Sequence, residues 1–408
     1  MAKSGLNINV YDACIERIET VFKEFPKVYV SFSAGKDSTV LLHMVMDYAI
    51  KNNRKVGVLL VDLEGQYKHT IDHARSCFDL YKEHIEMFWV CLPIHLRNAV
   101  SMYEPFWKCW DSEAKPMWVR DLPKESISDT KYFDFFEDGM EFEEFVPRFG
   151  EWYAKGEKTA CLVGIRSDES LNRYRTIASN SKIKYSDFQW TTKVTENVYN
   201  AYPIYDWATR DIWIYHAKNP TKHSNKIYDL MHKAGVNLSQ MRICQPYGDD
   251  QRRGLWLFHL LEPETWGKVV ARVNGANSGS LYVQETGNIT GYRRISKPKN
   301  HTWESFAKLL ISSMPPKTKN HYANKIAVFV KWWVDKGGYP DGIPDECDYV
   351  LETAKKVPSW RRVCKSLLRN DYWCKGLSFT QTKSDAYDKY IELMKKRKIK
   401  WDEYLFIT

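Results

Sequence analysis

No stretch of this sequence approaches the uninterrupted apolar length that a membrane span requires, so insertion into a bilayer is not expected. Met1–Gly5 hold no apolar h-region, which argues against a secretory leader. A disulfide framework is missing as well: the nine cysteines are odd in number, widely scattered, and fit reduced thiols. A cytoplasmic protein is expected. No histidine cluster has metal-ligand spacing, and Cys347, Cys364 and Cys374 are too far apart in sequence for a compact metal site. Neither an internal repeat nor a low-complexity linker is visible. The Gly-x-x-x-x-Gly-Lys-Ser/Thr spacing of a Walker loop is also absent.

What the chain does hold is 408 residues, enough for two or three domains, and a formal charge of +9. That excess is modest, and its distribution says more than its total. Residues 125–144 are acidic and aromatic, whereas Tyr292–Lys299 and Lys389–Lys400 are basic. Blocks of opposite sign suit self-association, a nucleic-acid face or plain solvated surface.

The most informative segment begins with Val28, Tyr29, Val30 and Phe32, the pattern of a buried strand. It breaks into Ser33-Ala34-Gly35-Lys36-Asp37-Ser38, after which Val40, Leu41, Met44, Val45, Tyr48 and Ala49 form one helical face. A small, polar loop therefore opens a helix, where free N–H groups and the positive dipole end favour an anion. Ser33 and Ser38 add hydroxyl donors and Lys36 adds a charge. The segment reads as a phosphate cradle.

Strands and helices alternate through about residue 215, predicting a parallel sheet with crossover helices. Strands are expected at 27–32, 56–63, 85–93, 159–165 and around 197–204, with a helix at 67–81. A long insertion, 95–155, reads as a lid or subunit contact over the strand ends. Beyond Lys218 the alternation stops. Helices are expected at 224–235, with Gly235 as C-cap, and at 251–273, and the remainder from about His301 reads as largely helical. The expected division is 1–220 for the nucleotide-binding α/β domain, 221–300 for a distinct segment and 301–408 for a helical C-terminal region.

Three further segments bear on chemistry. Asp62 to Thr70 places a carboxylate and Gly65 at the end of the second strand, where Asp62 can meet ribose hydroxyls or a phosphate-bound Mg²⁺, or cap the next helix. Gly164-Ile165-Arg166-Ser167-Asp168-Glu169-Ser170-Leu171-Asn172-Arg173 supplies two planar guanidinium forks, Arg166 and Arg173. Glu169 is placed to orient one of them, or the arginines form structural ion pairs with Asp168 and Glu169. Tyr202 to Trp213 reads mainly as packing, with Thr209 or Asp211 capping a helix.

Together these four motifs, in order over residues 27–217, resemble the phosphoadenosine phosphosulfate (PAPS) reductase family of the PP-loop ATP pyrophosphatase superfamily. The segment from Cys244 to Trp266 is similar to the branch that includes the IbrA and YbdN type of bacterial and prophage proteins. The resemblance implies an α/β, Rossmann-like (adenine nucleotide α-hydrolase-like) parallel sheet with a mainly helical C-terminal region. It implies that Ser33, Ala34, Gly35, Lys36, Asp37, Ser38, Asp62, Gly164, Arg166 and Glu169 bind ATP or PAPS. Lys36, Asp37, Arg166 and Arg173 would act on it, with Mg²⁺ at Asp37 or Asp62 and a ParB-like partner. Two departures count. Asp62, Gly65 and Thr70 match the family's Asp-Thr-Gly segment and downstream Thr in character while Leu63-Glu64 departs from it, and the Glu-Cys-Gly-Ile/Leu-His segment that carries the reductase nucleophile is absent. Cys244 is left as either a reactive thiol or a packed one, and Asp249, Asp250, Arg252 and Arg253 as either nucleotide-covering or surface residues.

Overall fold

A computed structural model describes residues 7–101, 104–178, 182–238, 240–248, 255–276, 295–314, 316–369 and 371–378. The basic run 389–400, Arg293, Arg294, Asp249, Asp250, Arg252 and Arg253 lie outside the described residues. The chain divides into two compact units, Met1–His95 with Lys108–Pro246 and Leu257–Lys268, and Leu96–Trp107 with Tyr247–Trp256 and Val269–Thr408.

In the first unit α1 (Val10–Glu24) starts at Asn9, whose side chain accepts from Asp12 N at 2.9 Å, and buries Cys14, Ile18 and Val21. Then follow β1 (Lys27–Ser31), α2 (Lys36–Lys51), β2 (Val56–Val61), α3 (Lys68–Tyr81) and β3 (Ile85–Val90). The short strands β4 (His95–Arg97) and β5 (Phe106–Lys108), whose residues Leu96–Arg97 and Phe106–Trp107 belong to the second unit, pair with each other. The chain continues through α4 (Phe142–Ala154), β6 (Thr159–Val163), α5 (Leu171–Ala178), β7 (Thr191–Lys193) and β8 (Val198–Ala201). After these come α6 (Thr209–Lys218) and α7 (Ile227–Lys233). The main sheet has the order β3-β2-β1-β6-β8-β7, parallel throughout except for the antiparallel edge strand β7. Covered on both faces, its inner strands read as near-continuous apolar runs, which is why they were legible.

The chain moves outward from β1 to β3 on one side and returns through β6 on the other. Carboxyl ends of β1 and β6 therefore flank the switch point, where open α/β sheets bind ligands. Each expected strand stops one to three residues early, because the backbone turns there to build loops: Ala34 and Glu64 both take positive φ, +55° and +61°.

Phe133, Phe145 and Phe149 of the 95–155 insertion are core, correcting the expectation of a lid for that part, whereas Tyr132 is exposed. Phe149 is fully buried and packs edge-on against Tyr29 and Phe88 of the sheet, with centroids 5.5 and 5.2 Å away. Burying such a ring contributes about 2–3 kcal/mol. Glu141 and Glu144 form a reciprocal capping box at the start of α4. The single helix expected at 251–273 is two, α8 (Leu255–Leu261) and α9 (Pro263–Arg272). Pro263 cannot donate a backbone N–H and opens α9 instead of continuing α8.

The second unit holds α10 (Trp303–Ser312), α11 (Pro316–Asp335), α12 (Tyr349–Thr353) and α13 (Trp360–Leu368). Trp303, Ile311, Ile326, Phe329, Val363 and Leu367 meet in its core. Thr302 and Ser359 cap α10 and α13 by accepting from Ser305 N and Arg362 N, each at 3.1 Å. Among the described residues no helix is long and apolar enough to cross a membrane.

Candidate functional site

The loop after β1 is held open by its neighbours. Phe32 N donates to Leu59 O at 2.8 Å and prolongs β1, then Ala34 reverses the chain into Gly35, the N-cap of α2. Glycine provides no side chain to cap the first-turn N–H groups, so the positive end of a 16-residue helix is left for a ligand. Ser33 Oγ and Ser38 Oγ lie 3.0 Å apart, and Ser38 Oγ donates to Gly35 O at 3.1 Å. Both hydroxyls sit at the mouth of the helix.

Two cations converge on one carboxylate there. Lys36 Nζ is 2.9 Å from Asp37 Oδ2, and Arg166 Nε is 2.5 Å from Asp37 Oδ1. Lys36 and Arg166 are only 6% and 2% exposed, so this triad sits in a low-dielectric crevice where its charges act strongly. Burial works against the Asp37 charge, but Lys36 and Arg166 outweigh it and hold the carboxyl below its usual range. Arg166 reaches the triad because β6 ends in Gly164. A Cβ there would lie 3.0 Å from both Ser38 N and Ser38 Cα, so only glycine lets strand end and helix start meet.

Glu169 and Arg173 pair with each other at 3.7 Å, with Arg173 41% exposed, and the Glu169 carbonyl accepts from Arg242. Glu169 thus orients Arg173, and Arg166 takes its orientation from Asp37.

Asp62 corrects an expectation. Its carboxylate is fully buried and accepts from Trp89 Nε1 at 2.8 Å, from Glu64 N at 3.1 Å and from Arg120. Glu64, equally buried, accepts from Trp110 N at 2.8 Å and Val119 N at 3.1 Å. The Leu63-Glu64 departure is thereby explained: both carboxylates pin the 110–120 segment to the end of β2. A Mg²⁺ held by Asp62 does not fit here, since the Asp62 oxygens are already matched to Arg120 and to N–H donors. Among the described residues no three of His, Cys, Asp and Glu form a ligand set.

A family model described as phosphoadenosine phosphosulfate reductase domain matches residues 27–234, and one described as domain of unknown function (DUF3440) matches 235–342 and 339–388. The chain belongs to the phosphoadenosine phosphosulfate reductase family. It is 43% identical over 402 residues to the uncharacterized protein YbdN of Escherichia coli (strain K12), covering 98% of this chain and 97% of that one. Solved structures similar to parts of it include a PAPS reductase from Candida auris in a phosphate complex (16% identity, 56% of this chain and 94% of that one, TM-score 0.31). Others are the U34-tRNA thiolase NcsA from Methanococcus maripaludis with its [4Fe-4S] cluster (12%, 74% and 88%, 0.33) and the FMN adenylyltransferase of Candida glabrata (13%, 55% and 62%, 0.28).

Several residues of this PAPS reductase domain escaped the sequence reading. Asn225 Nδ2 donates to Ala34 O and to Thr70 Oγ1, each at 3.0 Å, while its Oδ1 accepts from Ile227 N. Tyr228 OH accepts from Lys36 N at 3.0 Å, and His216 Nε2 lies 3.4 Å from Lys36 O. All three come from the stretch past β8, His216 just after the Tyr202–Trp213 motif and Asn225 and Tyr228 beyond every motif. Their one signal is polar and aromatic residues beside a short helix. Asp211, as expected, caps α6 by accepting from Ala208 N at 2.7 Å. Cys244 is half-buried, and its neighbour Ile243 comes to 3.7 Å from the Cβ position of Gly35, so the 243–244 segment borders the cradle.

Proposed function

We propose that this protein is an adenine-nucleotide enzyme that holds the β,γ-phosphates in loop 33–38 and acts at the α-phosphate. The observation that carries this reading is the convergence of Lys36 and Arg166 on Asp37 at the N-terminus of α2. An arriving phosphate takes the place of Asp37 as partner of these cations, and Ser33 donates to its oxygens. As a nucleophile forms its bond to the α-phosphorus, the bond to the bridging oxygen breaks and pyrophosphate leaves with the electron pair. Lys36 and Arg166 stabilise the charge that develops on it. On the loop after β2, Gln66 Oε1 and Tyr67 OH are buried and have no hydrogen-bond partner among the described residues, and a nucleoside hydroxyl or amine would satisfy them.

Incubation with ATP as its magnesium salt tests this, because release of AMP and pyrophosphate separates it from formation of ADP. ADP alone would overturn the α-phosphate reading. Lys36→Ala and Arg166→Ala should each weaken nucleotide binding by roughly 10- to 100-fold, the worth of a charge-assisted hydrogen bond. Unchanged affinity in both would place the site elsewhere.

A second reading, sulfonucleotide reduction, draws on Cys244, a thiol beside the cradle although the family's own cysteine segment is missing. Sulfite release from PAPS in the presence of a dithiol reductant, lost in Cys244→Ser, would favour it.

A further inference from the structure

Tyr228 lies on α7, outside every motif, yet is only 4% exposed against the phosphate loop. Its hydroxyl oxygen accepts the Lys36 N–H at 3.0 Å, the first amide of α2. That bond uses the oxygen and leaves the hydroxyl proton to be placed. Among the described residues no acceptor for it is found, and an unplaced buried donor is costly. Two distances say where a ligand would meet this hydroxyl. The Cβ position of Gly35 lies 3.3 Å from Ser33 Oγ and 3.5 Å from Tyr228 OH, so both hydroxyls flank one spot, with Ile243 Cγ1 at 3.7 Å. Lys36 Nζ stands 5.8 Å from the Tyr228 ring centroid. Burial also pushes the Tyr228 phenol well above its ordinary range, so it stays a donor.

We propose that the Tyr228 hydroxyl donates to the phosphate group held by loop 33–38 while accepting from Lys36 N–H. It rests on the nucleotide reading above and adds to it a phosphate-binding residue supplied from outside the loop. The hydroxyl passes the positive end of α2 to the ligand: donation from the Lys36 amide polarises the O–H and makes it a better donor. The ligand chemistry that fits is a phosphate or pyrophosphate oxygen, acceptor-only and negatively charged.

Calorimetric titration of the full chain with inorganic pyrophosphate tests this. Tyr228→Phe keeps the ring and removes only the hydroxyl, and should weaken pyrophosphate binding by about 10- to 100-fold. Its urea midpoint should stay close to that of the parent chain. Equal affinity would overturn the proposal, and so would tighter binding, which would mean that the hydroxyl competes with phosphate for the Lys36 amide. Should Tyr228→Phe fail to fold, 3-fluorotyrosine at position 228 keeps the packing and strengthens the donor, and must then tighten binding at neutral pH. Lys36→Ala separates the two levels of inference. Pyrophosphate binding lost in Lys36→Ala but unchanged in Tyr228→Phe overturns the role of Tyr228 alone. A parent chain that binds neither pyrophosphate nor ATP overturns both.

Discussion

Replacing Gly164 by alanine isolates the contact that brings the two halves of the cradle together. No positive φ is involved at this position, so alanine meets no backbone strain, and its only new feature is a methyl group. That methyl would lie 3.0 Å from Ser38 N, 3.0 Å from Ser38 Cα and 3.2 Å from Asp37 C. All three are backbone atoms in the first turn of α2, so no side chain can rotate away. Ordinary contact begins at 3.4 Å, hence helix and strand end must part by a few tenths of an ångström. Overpacking of this kind costs about 1–3 kcal/mol. At an m value of about 2 kcal/mol/M, it lowers the urea midpoint of the first unit by roughly 1 M. The same parting draws Lys36 and Ser38 away from Arg166. Since a misplacement of about 1 Å can cost 100-fold, a shift of this size should weaken nucleotide affinity about 10-fold. Gly156→Ala is the control, because its φ of +82° gives strain worth about 1 kcal/mol while its methyl meets nothing within 4 Å. It should lower the midpoint and leave affinity intact. Should Gly164→Ala behave likewise, the strand-to-helix contact does not set the cradle.

Two further outcomes follow from buried charge. Arg120→Met leaves the Asp62 carboxylate, wholly buried, without its cation, and should lower the stability of the first unit by about 3 kcal/mol in urea denaturation; a loss below about 0.5 kcal/mol would mean that the pair is not desolvated in solution. Burial holds His43 down at about 4 and His73 at about 3, so both are neutral in the folded chain at pH 7. The unfolded chain titrates near 6.5 and binds protons that the folded chain refuses, so stability is lost as pH falls below about 6.5, by about 2 kcal/mol per histidine at pH 5. Denaturation midpoints at pH 7 and pH 5 measure this, and His43→Gln should flatten the slope. Equal midpoints for the parent chain would show that both rings are solvated.

Legibility in the sequence followed locality. The run Val28 to Phe32, the loop and the apolar face of α2 are contiguous, and the structure has them as read. Gly164 and Arg166 were found because a motif carries both. Asp62 was misjudged because its partner Arg120 stands 58 residues away in the insertion, where nothing local marks it. Its burial depends on Trp89 and Trp110, which only tertiary packing brings over the end of β2. Glu169 looked equally able to serve either arginine, and it pairs with Arg173, four residues on in the first turn of α5. Tyr228 and Asn225 were invisible for the same reason as Arg120. The break before α9 is marked in the sequence by Pro263.

Asn225 and Tyr228 hold the loop across 191 and 192 residues of intervening chain. During synthesis at about 5–20 residues per second, loop 33–38 therefore emerges roughly 10–40 s before the side chains that fasten it. Throughout that interval β1 and α2 can form, but the Ala34 carbonyl and the Lys36 amide still lack these partners. A chain that has not yet reached Tyr228 therefore holds the loop without either fastening.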